Sequence, residues 1–386
     1  TVTATTPPLE TKFPTIGTTI FTVMSALAAE RGAVNLGQGF PDFDCDPKLV
    51  EAVHQAMAKG LNQYPPMTGV PALREAVSAK IEAMYGRKYD PAAEITITAG
   101  ATQAIITAVL CIVRPGDEVI VLEPCYDSYV PNVELAGGKV VRVPLTPGTF
   151  RPDFARIAAA LTPRTRAIIV NSPHNPSATV WTREEMLQLQ DLLAPTDAFV
   201  ISDEVYEHMV YDGRLHQSAA RFPGLAARSL IVSSFGKTYH VTGWKVGYVA
   251  APAALTAEFR KVHQFNVFTV NSPMQYGLAT YMASPEPYLQ LGAFYQRKRD
   301  LFREGLERTR LKLLPSEGTY FQCVDIRGVS ALKEDEFCKW LTVEFGVAAI
   351  PMSALYVDGD DQGIVRFCFA KKDETLRTAL DRLAKL

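Results

Sequence analysis

The chain has 386 residues, 47% of them hydrophobic, and a formal charge of −2. That length exceeds what a single hydrophobic core organises, so two domains are expected. Near-neutral charge leaves no electrostatic footprint for nucleic acid or a membrane surface, and no apolar stretch reaches the roughly 18 residues of a spanning helix. The six cysteines, at 45, 111, 125, 323, 338 and 368, show no CxxC spacing and sit mostly in apolar runs. They read as free thiols of a reducing compartment, not as disulfide or zinc ligands, so a cytoplasmic protein is expected. Residues 1–8 read as a loose tail without the basic and apolar blocks of a secretory signal.

Residues 18–30 read as an amphipathic helix after a break at Gly17. Glycines at 37 and 39, in Asn35-Leu-Gly-Gln-Gly-Phe-Pro-Asp42, let backbone amides approach a ligand. A second helix is expected over 47–60. The stretch Asn62-Gln-Tyr64-Pro-Pro-Met-Thr-Gly-Val70 is too rich in proline and glycine to be regular. Ile95-Thr-Ile-Thr98 alternates like a strand, and Gly100-Ala-Thr-Gln103 opens an apolar helix. Free N–H groups and the helix dipole make such a start an anion site.

A strand over 118–122 runs into Glu123-Pro124-Cys-Tyr126-Asp-Ser-Tyr129. Tyr126 therefore lies at a strand end, where ligands of open α/β sheets collect. Residues 140–145 form another short strand. The strand 167–170 leads into Asn171-Ser-Pro-His174-Asn175-Pro176, a loop stiffened by two prolines, in which His174 reads as a structural residue. The strand 198–201 ends in Ser202-Asp203-Glu204-Val-Tyr206, where a buried carboxylate needs a cation or a donor.

The apolar run Leu230-Ile-Val232 delivers Ser233-Ser-Phe-Gly-Lys-Thr-Tyr-His-Val-Thr-Gly-Trp-Lys-Val-Gly-Tyr248 to a strand mouth. A lysine there is costly unless an anion or a covalent partner meets it. Two serines and two lysines suit a doubly charged phosphate ester that also carries an amine-capturing aldehyde, the chemistry of pyridoxal phosphate. Desolvation favours the neutral, nucleophilic amine, which assigns capture to Lys237 and the phosphate to Ser233, Ser234 and Lys245. The separation of Asp203 from Lys237 matches a strand–helix–strand crossover. Alternating strands and helices over 95–250 imply a largely parallel sheet covered on both faces. Residues 285–312 read as a charged helical connector, with the cations of 296–300 on a solvated face. Strands over 319–324 and 363–369 and helices near 334–345 and 373–385 complete the chain. Arg366 lies inside the last strand pattern, so its guanidinium must meet a carboxylate of the protein or of a ligand.

The lysine segment resembles that of class I/II aminotransferases with the type I pyridoxal phosphate fold. The nearest branch holds the methionine and the kynurenine/glutamine aminotransferases. The resemblance covers nearly the whole chain, with several motifs in the family's order. It implies that Lys237 bonds the cofactor covalently and that Asp203 pairs with its ring nitrogen. Asn175 and Tyr206 would meet the ring oxygen, and Tyr126 would stack on the ring. The phosphate would fall to the backbone of Ala101 and Thr102, the Gln103 side chain, Ser234 and Lys245. The substrate carboxylate would meet Arg366, Asn175 and the Gly39 N–H, with Ile16 and Gly17 near the side-chain pocket. Tyr64 would cross a homodimer interface to the neighbour's phosphate, so that the two active sites are shared. Cis peptide bonds are implied before Pro124 and Pro176.

The expected architecture is α/β: an N-terminal arm and helix over 1–44 belonging to the small domain, a large cofactor domain over 45–285, and a small α+β domain over 286–386. The expected activity is ping-pong transfer of an amino group from a large uncharged L-amino acid to a 2-oxo acid. The pocket candidates Phe21, Tyr64, Tyr126 and Phe268 favour a large uncharged side chain, and the branch resemblance implies methionine first, with aromatic or glutamine-like side chains next. The same cofactor could instead serve a cysteine-S-conjugate β-lyase or a kynurenine aminotransferase. A cofactor-binding regulator without chemistry is disfavoured by the presence of both Lys237 and Arg366. A nicotinamide dehydrogenase is disfavoured because Gly37-Gln-Gly39 lacks the GxGxxG continuation. No metal, nucleic acid or membrane partner is expected.

Overall fold

A computed structural model describes residues 3–386; Thr1 and Val2, the start of the expected tail, lie outside the described residues. Strands β1 (Val34–Asn35), β2 (Ile95–Thr98), β3 (Glu118–Glu123), β4 (Lys139–Pro144), β5 (Thr165–Asn171), β6 (Phe199–Asp203), β7 (Ser229–Ser234) and β8 (Gly247–Ala250) precede β9 (Lys312–Leu313), β10 (Phe321–Asp325), β11 (Val347–Ala348), β12 (Ile350–Pro351) and β13 (Ile364–Cys368). The largest sheet has seven strands in the order β2-β8-β7-β6-β5-β3-β4. Its central pairs are parallel, and β8 alone runs against its neighbours. Apolar, β-branched runs such as Ala167-Ile-Ile-Val170 suit strands buried on both faces, which parallel pairing with helical crossovers requires.

Alternation along these strands sorts residues between two apolar layers. Ala167, Ile169, Ile201, Leu230 and Val232 face the helix Gly100–Ile112 and pack on Ala104, Ile105 and Ala108. Ile168, Val170, Val200 and Ile231 face the opposite layer, with Trp181, Leu189 and Tyr248. Continuing the same parity, Asn171, Asp203 and Ser234 end their strands on the side of the helix Gly100–Ile112. Register places Asn171 beside Asp203, and Asp203 beside Val232. Three polar side chains thus meet at one carboxyl edge of the sheet.

A four-stranded antiparallel sheet, β12-β13-β10-β9, and the parallel pair β1/β11 lie in the remainder of the chain. Met24 and Ala28 of the helix Ile20–Arg31 join Phe302, Leu341, Val365 and Phe367 in a third apolar cluster. That helix stops at Gly32, whose φ of 61° is the left-handed conformation glycine adopts without a Cβ penalty. Of the cations at 296–300 in the helix Leu291–Leu306, Arg297 is exposed as expected, but two depart from the expected solvated face. Lys298 and Arg299 are buried, against Asp373 at 3.0 Å and Asp212 at 2.7 Å respectively. Burial is tolerated there because each cation has a carboxylate partner.

All six cysteines are free. The peptide bonds before Pro124, Pro173 and Pro176 are cis, and the first and third are the expected pair. No helix among the described residues is long and apolar enough to cross a membrane.

Candidate active site

A cavity of about 200 Å³ opens at the carboxyl ends of β5, β6 and β7. Asn171, Asn175, Asp203, Tyr206, Ser234 and Lys237 line one part of it, and Gly100, Ala101, Thr102, Tyr126 and Lys245 line another. The helix Gly100–Ile112 starts without a side-chain cap, so its first N–H groups stay open toward the cavity. Gly100 has φ +80°, and a Cβ there would stand 3.1 Å from Lys245 Nζ. Glycine therefore lets an ammonium group sit against a helix N-terminus, and the two together favour an anion.

Lys237 leaves β7 on the short helix Phe235–Thr238 and aims its amine into the protein. Nζ donates to the Tyr320 hydroxyl at 3.0 Å and to the Gly39 carbonyl at 3.3 Å. Burial lowers its pKa to about 8, with Arg366 and Lys245 pushing the same way against Cys368 and Asp203. The neutral fraction near physiological pH is consequently far larger than that of an ordinary lysine.

Asp203 is 4% exposed and lacks a cation in contact. Tyr129 donates its hydroxyl to Oδ2 at 2.5 Å, and the Val205 N–H points at Oδ1 from 3.4 Å. Desolvation raises the carboxyl's pKa to about 6, against the Tyr129 hydrogen bond, the Val205 N–H and Lys237. The Asn171 amide holds the Asp203 carbonyl at 2.9 Å, which fixes the backbone beneath the acid.

Arg366 is 2% exposed on β13, with its guanidinium over the Phe321 ring at 4.0 Å. Nη1 donates to Asn175 Oδ1 at 2.7 Å and Nη2 to the Gly37 carbonyl at 3.1 Å. Its Nε–H has no partner. Among the described residues no carboxylate meets this guanidinium, so a buried cation keeps donor capacity for a ligand.

A second cavity, of about 360 Å³, shares Tyr126 with the first. Ile16, Phe21, Val130 and Leu355 supply apolar lining, while Glu123, Asp127 and Glu134 bring carboxylates and no lining residue is a cation.

Comparison with known proteins gives the chain a family. The family model for aminotransferase class I and II matches residues 31–383. The chain belongs to the class I and II aminotransferases. It is 52% identical to the methionine aminotransferase of Escherichia coli over 378 residues, 98% of each chain. Kynurenine–oxoglutarate transaminase 3 of Rattus norvegicus is 38% identical over 394 residues, covering 93% of this chain and 86% of the other. The crystal structure of YbdL from Escherichia coli, described as having a methionine aminotransferase function, superposes with a TM-score of 0.97 at 51% identity. That match covers 99% of this chain and 100% of the other.

In this aminotransferase the first cavity brings together Ala101, Thr102, Tyr126, Asn175, Asp203, Tyr206, Ser234, Lys237 and Lys245. Arg366 stands behind Asn175, to which it is bonded, and Gly39 lies beside Arg366: a Cβ on Gly39 would sit 3.9 Å from Nη2. Tyr64 lines neither of these cavities; it is 81% exposed and packs edge-on against Phe268 at 5.2 Å.

Two side chains depart from their expected positions. The Gln103 carboxamide is turned away from the cavity, accepting from the Ala99 N–H at 2.7 Å and donating to Thr107 Oγ1 at 2.7 Å. A glutamine on the first turn reaches the orphan amide of its own helix before it reaches a ligand. Ser233 shares parity with Ile231, so its hydroxyl enters the opposite layer and donates to Glu207. The sequence reading also missed Asn171, Tyr129 and Tyr320. Parallel register marks Asn171, since the residue ending β5 must lie beside Asp203. Nothing local marks Tyr320.

Proposed function

We propose that this aminotransferase uses pyridoxal 5′-phosphate to move the amino group of a large uncharged L-amino acid, methionine foremost, to a 2-oxo acid. The observation that carries the reading is the half-buried Lys237 amine, with its lowered pKa, in one cavity with Asp203 and an uncapped helix N-terminus. The donor set fits the cofactor. The N–H groups of Ala101 and Thr102, with Ser234 and Lys245, would hold its phosphate; Tyr126 would cover its ring; Asn175 and Tyr206 would meet its ring oxygen. When bound, pyridoxal 5′-phosphate supplies an aldehyde for amino-group exchange and a ring that withdraws electrons from the substrate Cα.

The chain's own groups do the rest. Asp203, a desolvated carboxylate without a cation in contact among the described residues, would hold the proton on the ring nitrogen. Arg366, with its free Nε–H, and the Gly39 N–H bind the substrate carboxylate and so fix which Cα bond faces the ring. Lys237 Nζ takes the Cα proton and returns it as general base and acid. A pKa of about 8 suits both directions of that transfer.

Substrate choice rests on the second cavity. Its apolar lining accepts a thioether or an aromatic ring, and Asp127 and Glu134, with no cation in the lining, disfavour an acidic side chain; the third carboxylate, Glu123, is paired with Arg142 at 3.6 Å. The named activity of the Escherichia coli relative supports methionine as the first candidate. Tyr64, at 81% exposure, and Phe265, at 86%, support a homodimer in which Tyr64 serves the neighbouring site. Six unpaired thiols support a reducing, cytoplasmic setting.

Spectral titration of the cofactor-loaded enzyme with a panel of amino acids tests the reading. Methionine is expected to convert the bound cofactor at the lowest concentration, with one amino group transferred per 2-oxo acid and no ammonia released. Aspartate outperforming methionine would overturn the substrate assignment. Ammonia released in place of exchange would favour elimination. Lys237→Ala is expected to abolish both the visible absorbance and the turnover.

A further inference from the structure

The geometry points to Tyr320 as a further catalytic residue, whose hydroxyl holds the freed Lys237 amine so that its lone pair faces the cavity. The inference rests on the reading of Lys237 as the proton carrier.

Tyr320 is 0% exposed, and its hydroxyl has a single hydrogen. That hydrogen is committed to the Gly39 carbonyl at 2.5 Å. Toward Lys237 Nζ, 3.0 Å away, the phenol oxygen is therefore an acceptor. The second N–H of the amine points at the Gly39 carbonyl from 3.3 Å. A neutral amine has two N–H bonds and one lone pair. With both N–H bonds directed at Tyr320 and Gly39, the lone pair points away from them, on the side where Lys237 lines the cavity. Once protonated, the nitrogen carries its third hydrogen along that same direction. One fixed orientation thus serves both removal of a proton from the substrate Cα and its return, and Tyr320 itself exchanges no proton.

Packing keeps the phenol in place. Its ring meets Tyr206, Phe321 and Tyr295 edge-on, at 5.3, 5.1 and 5.6 Å. The preceding Thr319 has φ +68°, a strained backbone for a β-branched residue, and its carbonyl accepts from the buried Tyr211 hydroxyl. Burial raises the Tyr320 pKa well above the usual phenol range, so the hydroxyl remains a donor to Gly39 throughout the working pH. The other charged or titratable groups acting on Lys237 are Cys368 and Arg366 from β13, Asp203 from β6, and Lys245 beyond β7, with Tyr206 beneath the amine at 5.4 Å.

Tyr320→Phe removes one oxygen and leaves the ring packing intact. Two measurements read its effect. The first is the pH dependence of the rate at which cofactor-free protein captures pyridoxal 5′-phosphate, followed by visible absorbance. Losing an acceptor for the ammonium form shifts the midpoint downward from about 8, by about one pH unit. The second is single-turnover reaction with methionine deuterated at Cα. Proton transfer is expected to slow about 10- to 100-fold with a larger isotope effect, while half-saturation by substrate stays unchanged. Wild-type values for both midpoint and isotope effect would overturn the inference. So would a rate loss matched by equal losses of cofactor affinity and melting temperature with no change in midpoint, because that pattern belongs to a packing role. Lys237→Ala run in parallel separates the two claims: capture at the wild-type rate by that variant would sink the Lys237 reading itself.

Discussion

Tyr129 donates its hydroxyl to Oδ2 of Asp203 across 2.5 Å, and both side chains are buried. The hydrogen bond stabilises the carboxylate against a desolvation that raises its pKa to about 6. Tyr129→Phe keeps the ring and deletes the donor. The Asp203 pKa in cofactor-free protein is expected to rise by about one further unit, the scale of one hydrogen bond to a charged group. Infrared or carbon NMR titration of the carboxyl reads it directly, and an unmoved pKa would show that the contact carries no electrostatic weight.

Asp203 also sets a pH-dependent cost on the cofactor-free fold. Its folded pKa, about 6, lies above its ordinary value of 3.8, so the folded chain binds this proton more tightly than the unfolded chain does. The stability gained that way is complete below about pH 4 and is lost as pH rises through about 6. At pH 8 the apoprotein buries a carboxylate without a cation in contact. Asp203→Asn is therefore expected to melt above wild type at pH 8, with the gap closing as pH falls toward 4. Equal melting temperatures at both ends would refute this account of the buried charge.

Strand ends and their chemistry were legible in the sequence because short apolar runs such as Val119-Ile-Val-Leu122, Ala167-Ile-Ile-Val170 and Leu230-Ile-Val232 stop abruptly at polar residues. Side-chain direction was less so. Ser233 and Ser234 look interchangeable as letters, yet strand parity sends one hydroxyl to Glu207 and the other to the cavity. The turn of Gln103 toward the Ala99 N–H was not legible, because competition from its own helix cap is a matter of a few ångströms, which spacing does not report. Lys298 and Arg299 look like surface cations until Asp373 and Asp212 arrive from distant segments. Tyr320 is the extreme case. Its acceptor, Gly39, lies 281 residues earlier, so its role exists only once the sheets have assembled.

Arg366 anchors through two directions at once, to Asn175 and to the Gly37 carbonyl, with Nε left over. Lysine cannot reproduce that planar fork. Arg366→Lys is expected to raise the concentration of amino acid needed for half-conversion by about 100-fold, on the scale of a lost bidentate charged pair. Cofactor retention should stay near wild type, since Arg366 does not line the first cavity. Isothermal or spectral titration separates the two affinities, and a parallel loss of both would show that Arg366 supports the cofactor instead.

The opposite layer of the sheet holds a buried ion pair of its own. Glu207 accepts from Lys80 Nζ at 3.0 Å, from Tyr85 at 2.7 Å and from Tyr248 at 3.2 Å, and also from Ser233. Burial by itself would raise its pKa, but Lys80, His208 and the Ser233 hydroxyl outweigh burial and hold it far below the carboxylate range. The pair ties the helix Pro71–Tyr85 to the turn after β6, one residue beyond Tyr206. Removing one partner strands the other charge in the interior. Lys80→Met is expected to cost about 3–5 kcal/mol of unfolding free energy, measured by urea denaturation of cofactor-free protein. The double variant Lys80→Met/Glu207→Gln keeps an acceptor for the tyrosines without a net charge and should recover more than half of that loss. A double variant as unstable as the sum of its single changes would mean that the two side chains contribute independently and that the ion pair itself is not the bond between these elements.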